Sequence, residues 1–272
     1  MDTPPPFNPP EKAYKNLAFL NSPDARHLRI LAEFVEPQAR FRRHKIRDTL
    51  VFFGSARMQA PEDAEAKLAA ARAMPGDSPE REARLAEAER AQRLATYYAE
   101  AEDLAARLTE WSRTVHNGHR FIICSGGGPG IMEAANRGAL RGGGPTVALN
   151  ISLPMEQAPN RYQTPELAFE FHYFFVRKFW FVYLAKAIVV FPGGFGTLDE
   201  TFELLTLIQT QKTAKQMPIV LYGSSFWRQL INFDLLKEWG VISPQDLDLF
   251  RFCDTVDEAY DYLVAELTRL YL

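Results

Sequence analysis

Hydrophobic positions along the chain follow two patterns, short continuous apolar runs and longer stretches with an apolar period near 3.6. The runs are Thr49–Phe53, Phe121–Cys124, Thr146–Ile151, Ala187–Phe191 and Met217–Tyr222, with a shorter one at Phe171–Phe174. Runs of this length, most of them ending at glycines or turn residues, read as strands buried on both faces, as in a parallel sheet. Helical periodicity fills the spaces between them: after Gly130 through Ala139, Val176–Leu184, Leu198–Gln209, around Phe226–Glu238, and Val256–Leu270. Strands alternating with helices predict an α/β fold of four or five strands in a doubly wound parallel sheet, helices on both faces, with its site along the C-terminal edge of the strands.

Two regions fall outside this alternation. Residues 1–48 form an N-terminal extension that opens with Pro4, Pro5, Pro6, Pro9 and Pro10, a composition that resists helix and central strand. Ser22-Pro23-Asp24 then offers a helix start, and Leu28, Leu31, Ala32 and Val35 share one face of a helix expected to end near Pro37. Residues 61–115 are rich in Ala, Glu and Arg, broken at Pro75-Gly76-Asp77-Ser78-Pro79, and read as an inserted helical hairpin. Its second arm would be about 55 Å long at 1.5 Å per residue, with Leu85, Leu94, Tyr98, Leu104 and Leu108 packing inward or against another subunit.

Candidate chemistry gathers where strands give way to glycines. The run ending at Phe191 passes through Pro192-Gly193-Gly194-Phe195-Gly196-Thr197 into a helix carrying Glu200 and Thr206. Glycines there let the backbone approach a ligand, and the first free N–H groups of the helix suit a phosphate. Thr197 and Glu200 also have capping-box spacing, so a plainly capped helix is an equal reading. A second loop, Ser125-Gly126-Gly127-Gly128-Pro129-Gly130, again delivers a helix; it lacks Gly-Lys-Ser/Thr, and Ile131 stands where a dinucleotide loop has its third glycine. Ser55, after the first strand, could meet a ligand or cap the next segment, and Met132 reads as readily as core filler. Glu156 and Asn160 lie in a loop dense in hydrogen-bonding groups. Arg177 and Lys178 sit at a helix start, where the macrodipole opposes cations, so an anionic ligand or carboxylate should hold them.

Composition narrows the class. With 272 residues, 47% hydrophobic, the chain can bury one large core. A net charge of −3 argues against a general nucleic-acid binder, and the Arg- and Lys-rich stretch at 39–47 reads best as a solvated basic face or a subunit contact. Cys124 and Cys253 lack metal or disulfide spacing and suit a reducing cytoplasm. No apolar run reaches the roughly 18 residues of a membrane span.

Ser125-Gly-Gly-Gly-Pro-Gly-Ile-Met132, Arg177-Lys178 and Pro192-Gly-Gly-Phe-Gly-Thr-Leu-Asp-Glu200 together resemble the LOG family, phosphoribohydrolases long labelled lysine decarboxylases. The resemblance implies a Rossmann-like nucleotide-binding domain over residues 49–272 and hydrolysis of nucleoside 5′-monophosphates, of AMP or cytokinin type, to free base and ribose 5-phosphate. It implies Arg177 and Glu200 as the catalytic pair. It places substrate on Gly193, Gly194, Phe195, Gly196 and Thr197, with Lys178, Glu156 and Thr206 joining them and Ser55, Gly126, Gly127, Gly128, Met132 and Asn160 completing the site. A homodimer or higher homo-oligomer is expected, with no cofactor, metal, nucleic-acid polymer or membrane partner. The alternative is a carrier that binds a phosphorylated, nucleotide-like cofactor without turning it over. A true lysine decarboxylase fits poorly, since no lysine stands in a recognisable pyridoxal-phosphate setting.

Overall fold

A computed structural model describes residues 9–115, 119–153, 158–213 and 215–272. Seven strands form one parallel sheet: β1 (Thr49–Phe53), β2 (Ile122–Ser125), β3 (Thr146–Ile151), β4 (Ala168–Phe171), β5 (Ala185–Val190), β6 (Ile219–Tyr222) and β7 (Arg251–Cys253), in the order β4-β3-β2-β1-β5-β6-β7. The helices are α1 (Leu17–Leu20), α2 (Arg26–Arg43), α3 (Pro61–Ala73), α4 (Pro79–Thr114), α5 (Ile131–Arg141), α6 (Phe174–Tyr183), α7 (Phe195–Gln209), α8 (Ser224–Leu230), α9 (Phe233–Glu238) and α10 (Val256–Tyr271). This is the doubly wound, Rossmann-like architecture expected.

Period-two alternation of the strands sorts the core into two layers. Leu50 and Phe52 of β1 face a layer with Tyr98, Leu104, Ala135 and Leu263 of α4, α5 and α10. Val51 and Phe53 face the other, with Trp180 and Phe181 of α6, Leu204 of α7 and Trp227 of α8. Strand order reverses at β1, which pairs with β2 on one side and β5 on the other, so a crevice opens above the C-terminal ends of these strands.

Three expectations change. The sheet has seven strands rather than four or five, because β4 alternates (Ala-Phe-Glu-Phe) instead of running apolar and β7 has only three residues. The expected strand Phe171–Phe174 is the end of β4 followed by the start of α6. The helix expected around Phe226–Glu238 is two, since Ile231 is extended between them and the Asn232 side chain accepts from Leu235 N at 3.0 Å to cap α9. The hairpin is present as α3 and the 36-residue α4, joined by a Lys67–Glu87 ion pair at 2.7 Å. Tyr98, Leu104 and Leu108 are buried while Leu94 is exposed.

The fourth difference reaches the site. Helix α2 does not stop at Pro37 but continues to Arg43. Proline there has no N–H to give the Glu33 carbonyl one turn back. Trp180 of α6 replaces it, its Nε1 donating to Glu33 O at 3.0 Å. The Glu33 carboxylate meanwhile accepts from His172 N at 2.8 Å and Tyr173 N at 3.2 Å, at the start of α6. A carboxylate at that helix N-terminus is favoured by the macrodipole and offsets the two cations that follow.

Trp180→Phe should therefore cost about 1–3 kcal/mol by orphaning the Glu33 carbonyl. In urea unfolding, adding Pro37→Ala should recover part of that loss, because the alanine N–H can take the carbonyl; strictly additive losses would contradict this account.

Candidate functional site

Three strand exits build the crevice, and β1 ties them together. Ser55 N donates to Pro192 O at 3.1 Å, and Ser55 O accepts from Ile131 N at 3.1 Å, so the exit of β1 is bonded to both glycine loops. Gly130 turns the chain into α5 with φ of +72°, and a Cβ there would strike the Ser55 carbonyl. Ser55 Oγ accepts from Arg57 N at 3.1 Å, so it shapes the loop as well as lining the crevice.

Beneath the loop that follows β2 lies a buried polar network. Ser125 Oγ donates to Asn136 Oδ1 at 2.9 Å, and Asn136 Nδ2 donates to Thr146 Oγ1 at 2.6 Å. Asn160 Nδ2 reaches Gly127 O at 3.0 Å, Gly128 O at 2.9 Å and Asn136 Oδ1 at 2.9 Å. Satisfied networks of this kind fix one geometry, so the loop is held open from below.

The loop after β5 is built to present N–H groups. Gly194 is the N-cap of α7, no side chain caps it, and Leu198 N already reaches Gly194 O at 3.0 Å. Phe195, Gly196 and Thr197 lie in the first turn, where backbone N–H groups have no partner within the helix. A Cβ on Gly194 or Gly196 would meet open space, whereas one on Gly193 would collide with Thr197 Oγ1. The capping box is not formed: Thr197 sits inside the first turn of α7 and Glu200 lies in the next. Glu200 is thus free for another role.

These exits enclose a cleft of about 640 Å³ lined by Ser55, Gly126, Met132, Arg177, Thr197 and Glu200, among others. Burial pushes the Glu200 carboxyl up to about 7; Lys178 and Arg177 pull it down, and Glu203 and Asp199 push it further up. Arg177 is half-buried, and desolvation draws its pKa below the usual value. Its Nε donates to Leu149 O at 2.6 Å and its Nη2 to Gly126 O at 3.3 Å, with the guanidinium 5.0 Å from the Phe181 ring. No ion pair joins Arg177 to Glu200; they interact through the field across the cleft.

Of the residues singled out in the sequence, the structure brings Ser55, Gly126, Met132, Arg177, Gly194, Phe195, Gly196, Thr197 and Glu200 to this cleft, and Gly128 to an adjoining lobe. Gly127, Gly193 and Asn160 form its supports instead, Asn160 because its amide is spent on the loop carbonyls. Lys178 and Thr206 lie on an open groove along α7 that adjoins the cleft through Phe195 and Asp199. Carboxylates hold Lys178 there, Asp199 and Glu203 each at 2.7 Å, and the Thr206 hydroxyl donates to Phe202 O at 2.7 Å. Glu156 lies outside the described residues. Sequence reasoning missed Arg57, Phe174 and Ile151, which also line the cleft. Arg57 had a signal, a lone cation two residues after Ser55. Among the described residues no group of three or more His, Cys, Asp or Glu could hold a metal, and no helix is long and apolar enough to cross a membrane.

Residues 132–263 match the model of the family described as "Possible lysine decarboxylase". No curated protein matches the sequence. Similar solved structures include TM1055, at 17% identity and a TM-score of 0.48, covering 80% of this chain and 99% of that one. The molybdenum cofactor binding protein of Rippkaea orientalis aligns at 15% identity and 0.46, covering 81% and 98%. The Moco carrier protein of Chlamydomonas reinhardtii aligns at 18% and 0.44, covering 82% and 100%.

The raised pKa of Glu200 carries a stability consequence. A carboxyl whose folded pKa lies above its unfolded value holds its proton more tightly when folded, so stability falls as pH rises from 4.5 towards about 7, and the cost persists above that. Glu200→Gln should raise Tm at pH 8 by roughly 3 °C or more while leaving Tm at pH 4.5 nearly unchanged. Equal shifts at both values, read by calorimetry, would show that ionisation is not the cause.

Proposed function

We propose, from the match of residues 132–263 to the family described as "Possible lysine decarboxylase" and from the resemblance of the glycine loops and Arg177-Lys178 to the LOG family, that the protein hydrolyses the N-glycosidic bond of nucleoside 5′-monophosphates. The observation that carries this reading is the half-buried Glu200 carboxyl, raised to about 7, one turn behind the uncapped N-terminus of α7. The 5′-phosphate sits on the N–H groups of Phe195, Gly196 and Thr197, where the helix dipole favours an anion. Ribose C1′ then lies towards Glu200.

Cleavage of the C1′–N bond sends its electron pair to the base, which takes up a proton from solvent to be replaced by the one Glu200 later releases, and leaves positive charge on the ribose. Ionised Glu200 stabilises that charge and accepts a proton from the water whose oxygen bonds to C1′. The products are free base and ribose 5-phosphate. A carboxylate with a pKa near 7 is a stronger base than an ordinary one, and burial supplies that strength. Arg177 keeps the ribose floor in place through the Leu149 and Gly126 carbonyls, and its charge favours the ionised state of Glu200. An exposed apolar stripe on α6 and α7, with Phe175, Phe179, Tyr183, Phe195 and Phe202, supports the further proposal that the chain works as a homodimer.

The experiment is incubation with AMP, CMP, GMP and isopentenyladenosine monophosphate while free base and ribose 5-phosphate are followed. Turnover is expected, with kcat/KM rising with pH and levelling off above about 7. Glu200→Gln should lower kcat by about 10²–10³-fold, flatten that pH profile and keep nucleotide binding. Tight nucleotide binding by the parent without release of base would favour the non-catalytic carrier instead.

A further inference from the structure

The cleft has a second lobe that the proposed chemistry leaves unused. It measures about 440 Å³, shares Gly126, Met132, Ile151, Leu153 and Arg177 with the first, and extends over the ends of β3 and β4. Arg177 therefore stands at the junction. A nucleotide whose phosphate rests on α7 and whose C1′ faces Glu200 has to send its base somewhere, and this lobe offers apolar surface from Met132, Ile151 and Leu153 for the faces of a heterocycle.

Among the described residues its polar edge is narrow. Asn150 is spent: its Nδ2 donates to Gln163 Oε1 at 2.9 Å and to Phe169 O at 3.0 Å, and its Oδ1 accepts from Gln163 Nε2 at 3.2 Å. The charged side chains among the described lining residues are Arg177 and Glu170. Glu170 pairs with Asn150 in the β3–β4 register, and its neighbours Phe169 and Phe171 are buried on the opposite face of β4. Ser152 Oγ donates to Glu170 Oε1 at 2.8 Å, which orients the carboxylate and leaves Oε2 without a donor among the described residues. Glu170 is exposed at the rim of the lobe, and the lobe thus presents an acceptor oriented by one hydrogen bond from Ser152.

Resting on the reading of the cleft as a nucleotide site, we propose that this lobe receives the nucleobase and that Glu170, held by Ser152, selects bases carrying an exocyclic amine. The amine of adenine or cytosine donates an N–H to Glu170 Oε2. The keto oxygen of hypoxanthine or uracil at the same position would set lone pair against carboxylate, a repulsive contact that rejects the wrong base.

Binding of AMP, IMP, CMP, UMP and ribose 5-phosphate is measured by calorimetry on the full chain carrying Glu200→Gln, so that turnover does not interfere. AMP and CMP should bind at least about tenfold more tightly than IMP and UMP. Adding Glu170→Gln, whose amide can also donate to a keto oxygen, should shrink both ratios to below about threefold while the affinity for ribose 5-phosphate stays unchanged. Equal binding of amino and keto nucleotides before that change overturns the proposal, as does an equal loss for all five ligands after it. If ribose 5-phosphate binds and no nucleotide binds more tightly, the base lobe is wrong while the phosphate site stands. If ribose 5-phosphate itself does not bind, the nucleotide reading fails and takes this inference with it.

Discussion

A single half-buried guanidinium holds the site in shape. Arg177 leaves the second turn of α6, crosses under the cleft and donates to carbonyls at the ends of β3 and β2. Removing such a charge from water is costly, and two backbone acceptors with an aromatic face compensate only in part, as its lowered pKa reflects. The fold accepts that cost in return for one cation fixed between two lobes, where it stabilises negative charge on either side without neutralising it by direct contact. A direct Arg177–Glu200 ion pair would hold the carboxyl down in the ordinary range. Separation keeps it near 7.

The rest of the site follows from the parallel sheet. Every strand exit faces the same way, so loops from β1, β2 and β5 meet above one edge, and Ser55 can bond to both of its neighbours at once. The two helix N-termini point inward for the same reason. Lys178 shows how one residue of helix changes a role: its neighbour reaches strand-end carbonyls under the cleft, whereas it is drawn to Asp199 at the cleft's rim and Glu203 one turn further along α7.

Much of this was legible in the residues. Continuous apolar runs identified β1, β2, β3, β5 and β6, because strands buried on both faces have few polar positions to interrupt the pattern. The edge strands β4 and β7 escaped, one by alternating and one by brevity. Both glycine loops declared themselves, but the Thr197–Glu200 spacing left capping and ligand binding evenly matched, since local sequence does not say where a helix begins. Gly194 as the cap removes the capping-box reading. Asn160 lies in a loop whose composition is ordinary for loops, so its place in the site was not legible locally; its burial under Gly127 and Gly128 depends on a contact some thirty positions away that no local pattern encodes. Glu170 went unnoticed for the same reason that β4 did.

Glu33 gives the N-terminal extension a mechanical meaning. One residue of α2 grips α6 at two points, its carboxylate at His172 and Tyr173 and its carbonyl at Trp180, and Arg177 lies between those points. The extension is therefore a splint on the helix that carries the central cation. A segment whose described residues contribute no lining to the cleft thus sets how far Arg177 can wander.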